Sequence, residues 1–191
     1  MIKMLYWKKI TPGPRAPDIV YSIIECPKGA KNKYEISKKI NIMVLDRTLH
    51  SSVIYPQDYG FIPGTLASDG DPLDVLVIIS NPSAPSTLIE CRPIGVLIME
   101  DEKGLDEKIL AVAINDPHYN EYQDVVQLPK HFLDEIQEFF RTYKSLEETS
   151  YADVRTWKGR DAAHVIIEDS IGSFKKKYGD CATVDPKSDQ A

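Results

Sequence analysis

Three aspartates that lie close together are the strongest candidates for chemistry in the sequence. Asp69, Asp71 and Asp74 fall within the segment DGDPLD, directly before the apolar run at 75–79. Such carboxylates repel one another unless a cation lies among them, and hard divalent ions such as Mg²⁺ bind oxygen ligands of this kind. Asp-Gly and Asp-Pro pairs are also common in solvated turns, so the spacing alone leaves a plain turn equally open. An EF-hand is excluded, because Leu73 and Asp74 stand where its loop requires an acid and a glycine.

A second acidic segment, EDEKGLDEK at 100–108, lies between two predicted strands. Taken alone, it is typical of a solvated hairpin tip. Two acidic loops in one small domain nevertheless favour a shared metal site.

Basic and aromatic side chains occupy other short motifs. Lys33 lies on a predicted strand, Arg47 ends the next strand, and Lys144 lies near the end of a predicted helix. Lysine and arginine near a dense acid cluster favour a site for a polyanion that metals bridge to protein carboxylates. Taken singly, Tyr55 and Tyr59 are more typical of core packing at a bend.

Several other classes of site find no support. The sequence contains no P-loop, no GxGxxG segment, no GxSxG elbow and no histidine pair at i, i+4. Cys26, Cys91 and Cys181 form no CxxC pair, which is typical of reduced thiols and favours a cytoplasmic protein. The apolar run at 75–79 is far shorter than the ~20 residues of a membrane span, so no membrane partner is expected.

Composition indicates an ordinary globular chain. The 191 residues are 42% hydrophobic and 27% charged, which predicts a single domain over 1–191 with a substantial core. The 23 basic and 29 acidic residues give a net charge of −6. A net-acidic chain lacks the basic surface of most nucleic-acid binders, so no nucleic-acid partner is expected.

Periodicity divides the chain near residue 116. Before it, β-branched runs alternate with turn signals, and the predicted strands are 18–25, 33–36, 42–45, 75–79, 88–90, 94–99 and 109–114. After it, an apolar stripe from Phe132 to Leu146 predicts one helix. A second helix is predicted over 161–177, with Val165, Ile166, Ile171 and Phe174 facing inward. The strand spacing is typical of an antiparallel barrel or sandwich, and the order of strands before helices favours an α+β fold, a small barrel with helices packed on it.

The motifs together resemble those of the soluble family I inorganic pyrophosphatases. The segment DGDPLDV at 69–75 matches the signature of that family. Further matches, in colinear order over about 18–147, are KGAKNKYE at 28–35, LDR at 45–47, YPQDYGFIP at 55–63, DEKGLDEK at 101–108 and FFRTYK at 139–144. One departure is Asp58, which stands where the family usually carries Asn and adds a charge near the site.

The resemblance implies an OB-like five-stranded antiparallel β-barrel with two packed C-terminal helices. It implies Mg²⁺-dependent hydrolysis of pyrophosphate to two orthophosphates by a metal-bridged water, with Asp71 as general base. Family members of this size range from monomers to hexamers, and a homo-oligomer is expected. The implied metal ligands are Asp69, Asp74, Asp101, Asp106 and Glu25. The implied phosphate contacts are Lys33, Arg47, Tyr59, Lys108, Tyr143 and Lys144. Tyr55 joins Asp71 in the implied catalytic group, and Glu35 is a supporting residue.

Two other functions compete with this enzyme. OB-like barrels often bind single-stranded nucleic acid, but they use a basic groove with stacking aromatics, and this chain carries acids instead. A calcium-buffering protein would explain the acids but not Lys33, Arg47 and Lys144.

The implied pocket and a bound pyrophosphate would together carry a charge of about −6 to −7, which roughly three to four divalent ions would neutralise.

Overall fold

The computed structural model describes residues 8–37, 39–102, 104–147 and 152–180. Within these residues the chain forms eight strands, two α-helices and a short 3₁₀ helix, Val125–Gln127. The strands are β1 Val20–Cys26, β2 Asn32–Ile36, β3 Met43–Thr48, β4 Asp58–Phe61, β5 Asp74–Ile78, β6 Leu88–Asp101, β7 Gly104–Ala113 and β8 Ala152–Gly159. The helices are α1 Lys130–Thr142 and α2 Arg160–Tyr178.

Five strands close into a barrel. The order β1–β4–β5–β7–β6 returns to β1, because β1 pairs with both β4 and β6. This closed ring with its two helices confirms the predicted fold class. The pairing of β5 with β7 is parallel, whereas the other neighbours in the ring are antiparallel. The parallel pair is possible because β6 lies between β5 and β7 in the chain. β6 returns the chain to the end of the barrel at which β5 began, so β7 can run in the same direction as β5.

The remaining strands extend this barrel. β8 pairs with the outer edge of β6, and β2 and β3 form a separate hairpin beside β1. The segments 88–90 and 94–99, predicted as two strands, form the single strand β6. A bulge between Pro93 and Gly95 accommodates this proline and this glycine inside the strand.

Both faces of the central strand β5 are buried. Val75 and Val77 pack in a cluster that includes residues of α2, and Leu76 and Ile78 pack in a second cluster with residues of α1. A strand buried on both sides reads as a continuous apolar run, which is the pattern at 75–79. The two helices therefore cover different parts of the barrel.

The helices lie close to their predicted positions, with two corrections. α1 buries Ile136, Phe139 and Phe140 but ends at Thr142, and Leu146 beyond it is exposed. α2 confirms the helix predicted over 161–177, but Val165 is 57% exposed and does not face inward. Phe174 is buried as predicted, and Ile166 and Ile171 are half-buried against the core. The buried face also carries Ala163, Ile167 and Ser170, of which Ala163 and Ser170 were missed because small and polar residues carry no apolar signal. No helix in the described part of the chain has the length and apolar character needed to cross a membrane.

Candidate active site

A cavity of about 430 Å³ opens between the barrel, the β2–β3 hairpin and the end of α1. Every residue that the sequence placed in the site lines it, except Tyr55. These residues are Glu25, Lys33, Glu35, Arg47, Tyr59, Asp69, Asp71, Asp74, Asp101, Asp106, Lys108, Tyr143 and Lys144. Segments far apart in the sequence therefore meet at one site.

Lys108 joins two carboxylates at the base of the cavity. The parallel register places Asp74 of β5 opposite Lys108 of β7, and Asp106 lies two residues away on the same face of β7. The Lys108 Nζ contacts Asp74 and lies 2.6 Å from Asp106. Burial lowers the pKa of this lysine, which is 5% exposed, but the two carboxylates outweigh burial and raise it. Lys108 is therefore a fixed positive charge.

Two tyrosines remain protonated beside this lysine. Burial, followed by the charges of Asp74 and Asp106, raises the pKa of Tyr59 well above its ordinary value. Burial also raises the pKa of Tyr143. Both phenols can therefore donate hydrogen bonds to an anion at neutral pH.

The β2–β3 hairpin supplies Lys33 and Arg47, which are opposite each other in the ladder. Lys33 contacts Glu35. Burial lowers the pKa of Lys33, but the Glu35 carboxylate outweighs burial, so the net effect is a raised pKa. Arg47 donates from Nε and Nη2 to the two oxygens of Glu147, at 2.9 and 3.1 Å. Each cation of the hairpin is thus held by a carboxylate.

Lys144 lies just after the end of α1 and reaches the tip of the β6–β7 hairpin. Its Nζ lies 3.3 Å from Asp101 and 3.0 Å from Glu102. The acidic segment predicted as a hairpin tip does lie at a hairpin tip, and it lines the cavity as well.

Glu25 lies at the end of β1, beneath the β2–β3 hairpin. Its carboxylate accepts a hydrogen bond of 2.9 Å from the backbone N–H of Ile36. Burial, with a smaller contribution from Asp74 and Glu35, raises its pKa from 4.5 to about 8. In the absence of cations this acid therefore remains largely protonated at neutral pH.

The turn before β5 aims two aspartates at the cavity. The Asp71 N–H donates to the Asp69 carboxylate at 3.0 Å, and the Ala67 N–H donates to the Asp71 carbonyl at 2.7 Å. Gly70 between them has φ +89°, a conformation that favours glycine. The residue types DGD therefore suit both the turn and the site.

Tyr55 lies outside the cavity lining. Its ring is buried against Tyr59 and Phe139, with centroids 5.4 and 5.0 Å away, and its hydroxyl group meets the Cys26 thiol. Tyr55 therefore supports Tyr59 from the core, and its catalytic role stays a prediction.

Asp58 is also fully buried and outside the lining. Its two oxygens accept backbone hydrogen bonds from Lys28 at 2.7 Å and Ser83 at 2.9 Å. This carboxylate thus ties two loops to β4, next to Tyr59.

The donor set fits hard divalent cations. Six carboxylates of the predicted metal and base positions line one cavity, and all of them offer oxygen atoms only. Among the described residues, no three acidic, histidine or cysteine side chains are already grouped as a metal-binding set. Lys108 and Lys144 hold three of these carboxylates, so an incoming cation would compete with lysine.

Glu102 and Glu147 line the cavity without having been assigned a role from the sequence. Glu102 lies inside the acidic segment at 100–108, which is a signal that could have identified it. Glu147 meets Arg47 across 100 residues of chain, and no local pattern indicates that pair.

The fold and the cavity define a class of small β-barrel protein with one cavity lined by both acidic and basic side chains. The family model that describes inorganic pyrophosphatase matches residues 22–175. The inorganic pyrophosphatase of Haloferax volcanii is 43% identical over 172 residues, covering 90% of this chain and 97% of the relative. That of Synechocystis is 47% identical over 167 residues, covering 87% and 98%. The crystal structure of the Thermus thermophilus inorganic pyrophosphatase has a TM-score of 0.86 at 42% identity, covering 88% and 98%. The chain belongs to the inorganic pyrophosphatase family.

Proposed function

We propose that the protein hydrolyses inorganic pyrophosphate to two orthophosphates and requires Mg²⁺. The observation that carries this proposal is the mixture of charges in one cavity. Nine acidic and four basic side chains line it, a formal excess of five negative charges. Such a cavity binds an anion of charge about −3 to −4 only when divalent cations neutralise both.

Asp69, Asp74, Asp101, Asp106 and Glu25 would hold the cations. When bound, Mg²⁺ would neutralise charge in the cavity and lower the pKa of a bound water molecule. Cation binding would separate Lys108 and Lys144 from their carboxylates. The free energy that this costs is offset when both lysines contact phosphate oxygens instead.

The chain's own residues would bind and orient the pyrophosphate and accept a proton from the attacking water. Lys33, Arg47, Lys108 and Lys144 bind phosphate oxygens, and Tyr59 and Tyr143 donate to them as neutral phenols. The oxygen of the attacking water bonds to one phosphorus, and the bridging P–O bond breaks. The Asp71 carboxylate accepts the proton, and the basic residues stabilise the departing phosphate.

Phosphate release from pyrophosphate tests the proposal directly. We expect turnover with Mg²⁺, loss of turnover in excess chelator, and little activity with Ca²⁺. Ca²⁺ takes a looser shell of oxygen ligands at roughly 2.3–2.6 Å, whereas Mg²⁺ requires octahedral geometry at about 2.1 Å. Divalent binding without any phosphate release would favour a calcium buffer, and full activity in chelator would exclude the metal requirement.

We also infer that the protein acts in the cytoplasm as a homo-oligomer. Cys26 and Cys91 are buried free thiols, which suits a reducing compartment. Ile42, Leu45 and Ile54 are large apolar side chains that are more than half exposed, as is common at subunit contacts. Sedimentation measures the oligomeric state, and a purely monomeric protein would contradict the inferred homo-oligomer.

A further inference from the structure

Glu147 occupies one edge of the Arg47 guanidinium inside the cavity. Both oxygens of the carboxylate take part, one on Nε and one on Nη2. The Arg47 side chain is 28% exposed and the Glu147 side chain 17% exposed, so the pair is accessible to an incoming anion. Asp46 contacts the remaining terminal nitrogen, Nη1.

This two-oxygen contact is the arrangement in which arginine binds carboxylate or phosphate with the best geometry. A phosphate group that reaches Arg47 must either take the edge held by Glu147 or sit beside that negative charge. In both cases the Glu147 carboxylate opposes the binding of phosphate.

Two other basic residues of the cavity, Lys108 and Lys144, differ from Arg47 in one respect. The carboxylates that hold Lys108 belong to Asp74 and Asp106, and one of those on Lys144 belongs to Asp101. These three acids are predicted cation ligands, so cation binding would draw them away from the lysines. Glu147 lies on Arg47 and has no such predicted role, so phosphate itself must displace it.

We propose that Glu147 is a positioning residue that competes with phosphate for Arg47 and so limits the affinity of the site for pyrophosphate and orthophosphate. The inference rests on the proposed function, in which Arg47 contacts a phosphate group. Its consequence for the reaction is weaker retention of the orthophosphate product.

The test is Glu147→Gln, which keeps the size of the side chain but removes its charge and one acceptor oxygen. We expect the KM for pyrophosphate and the inhibition constant for orthophosphate each to fall about three- to tenfold, as for loss of a partly exposed ion pair. We expect no rise in kcat. A merely structural role would instead leave both constants unchanged or raise them, and either result overturns the inference.

Glu138→Gln is the matched control, because Glu138 lies on α1, is exposed and pairs with Arg141 outside the cavity. It removes the same charge and should leave both constants unchanged. An equal fall in Glu138→Gln would mean that net charge, not Arg47, sets the affinity, and would overturn the inference. Glu147→Ala provides a second variant, and circular dichroism verifies that each variant is folded.

A double-mutant cycle isolates the contact with Arg47. In an Arg47→Ala background, Glu147→Gln should no longer change the inhibition constant or the binding of orthophosphate measured by calorimetry. If the effect persists without Arg47, Glu147 does not act through that residue. A parent protein that binds orthophosphate but never hydrolyses pyrophosphate would refute the proposed function, while the calorimetric arm would still decide the role of Glu147.

Discussion

Each basic side chain in the cavity contacts at least one carboxylate, and this pairing explains how so many charges tolerate one another. Lys33 contacts Glu35, and Arg47 contacts Glu147. These two pairs are partly exposed, and an exposed ion pair adds little to stability. In the proposed function, they can therefore be exchanged for contacts with cations and phosphate at a low cost in free energy.

Asp71 and Asp74 should respond differently to the same substitution. Asp71→Asn cannot accept a proton, so turnover should fall by roughly 10²–10⁴. Its backbone bond to Asp69 persists, so Mg²⁺ affinity should change little. Asp74→Asn removes the charge of a predicted ligand and of one of the two carboxylate partners of Lys108, so metal affinity and turnover should fall together. Calorimetry for Mg²⁺ and phosphate release at saturating metal measure both. Parental turnover in Asp71→Asn would exclude it as the base, and an equal loss of metal would make it a ligand.

Asp58→Asn should destabilise the fold although Asn is usual in the family. The two carboxylate oxygens each accept a backbone N–H, from Lys28 and from Ser83. An amide offers one oxygen, and its NH₂ group would face the second N–H. We expect a loss of about 1–3 kcal/mol in the free energy of unfolding, measured in urea. Asp169→Asn, on the exposed face of α2, should change it far less. Equal stabilities of the two variants would refute this account.

The family resemblance of the motifs predicted most of the residues that line the cavity, but not the ion pairs among them. The residue types at 69–75 alone left a solvated turn equally open, and the further motifs decided for a site. The contact between Arg47 and Glu147 joins β3 to a segment beyond α1. Only the closed barrel brings these segments together, so no local pattern could indicate the pair.

At the scale of elements, the sequence pattern misses β4 and β8. β4 has only four residues, carries a glycine and follows a proline-containing loop, all of which indicate a turn. β8 alternates weakly, because its exposed residues outnumber its buried one. β4 nevertheless closes the barrel between β1 and β5 and places Tyr59 in the cavity.

Gly60 should be essential to β4 for a steric reason. A Cβ atom there would lie 1.9 Å from the carbonyl oxygen of Ile23 on β1, so the backbone would have to move. Gly60→Ala should cost at least about 1–3 kcal/mol of unfolding free energy and lower turnover by shifting Tyr59. Gly172→Ala, on α2 with nothing within 4 Å of the added atom, should instead stabilise the protein by up to about 1 kcal/mol. Thermal and urea unfolding compare the two, and a stable Gly60→Ala would contradict the close packing.

At the scale of the whole molecule, the closed barrel reconciles an ordinary core with an unusual cavity. The apolar residues of β5 face both core clusters, while its first residue, Asp74, lines the cavity. Apolar periodicity predicted this architecture because the core requires it. The negative excess of the cavity is independent of the core and makes the stability of the molecule depend on pH.

Glu25 should make the protein without divalent cations less stable as pH rises. Its pKa is raised from 4.5 to about 8, so the folded state holds a proton that the unfolded state has released. Between these values each pH unit should cost up to about 1.4 kcal/mol of unfolding free energy.

Glu25→Gln mimics the protonated form of Glu25 and can keep the hydrogen bond from the Ile36 N–H. In chelator, it should match the parent in Tm near pH 5 and exceed it near pH 8. Glu168→Gln, an exposed acid on α2, should follow the parent throughout. A parent Tm that is flat from pH 5 to 8, or a gain shared by Glu168→Gln, would show that Glu25 does not carry the effect.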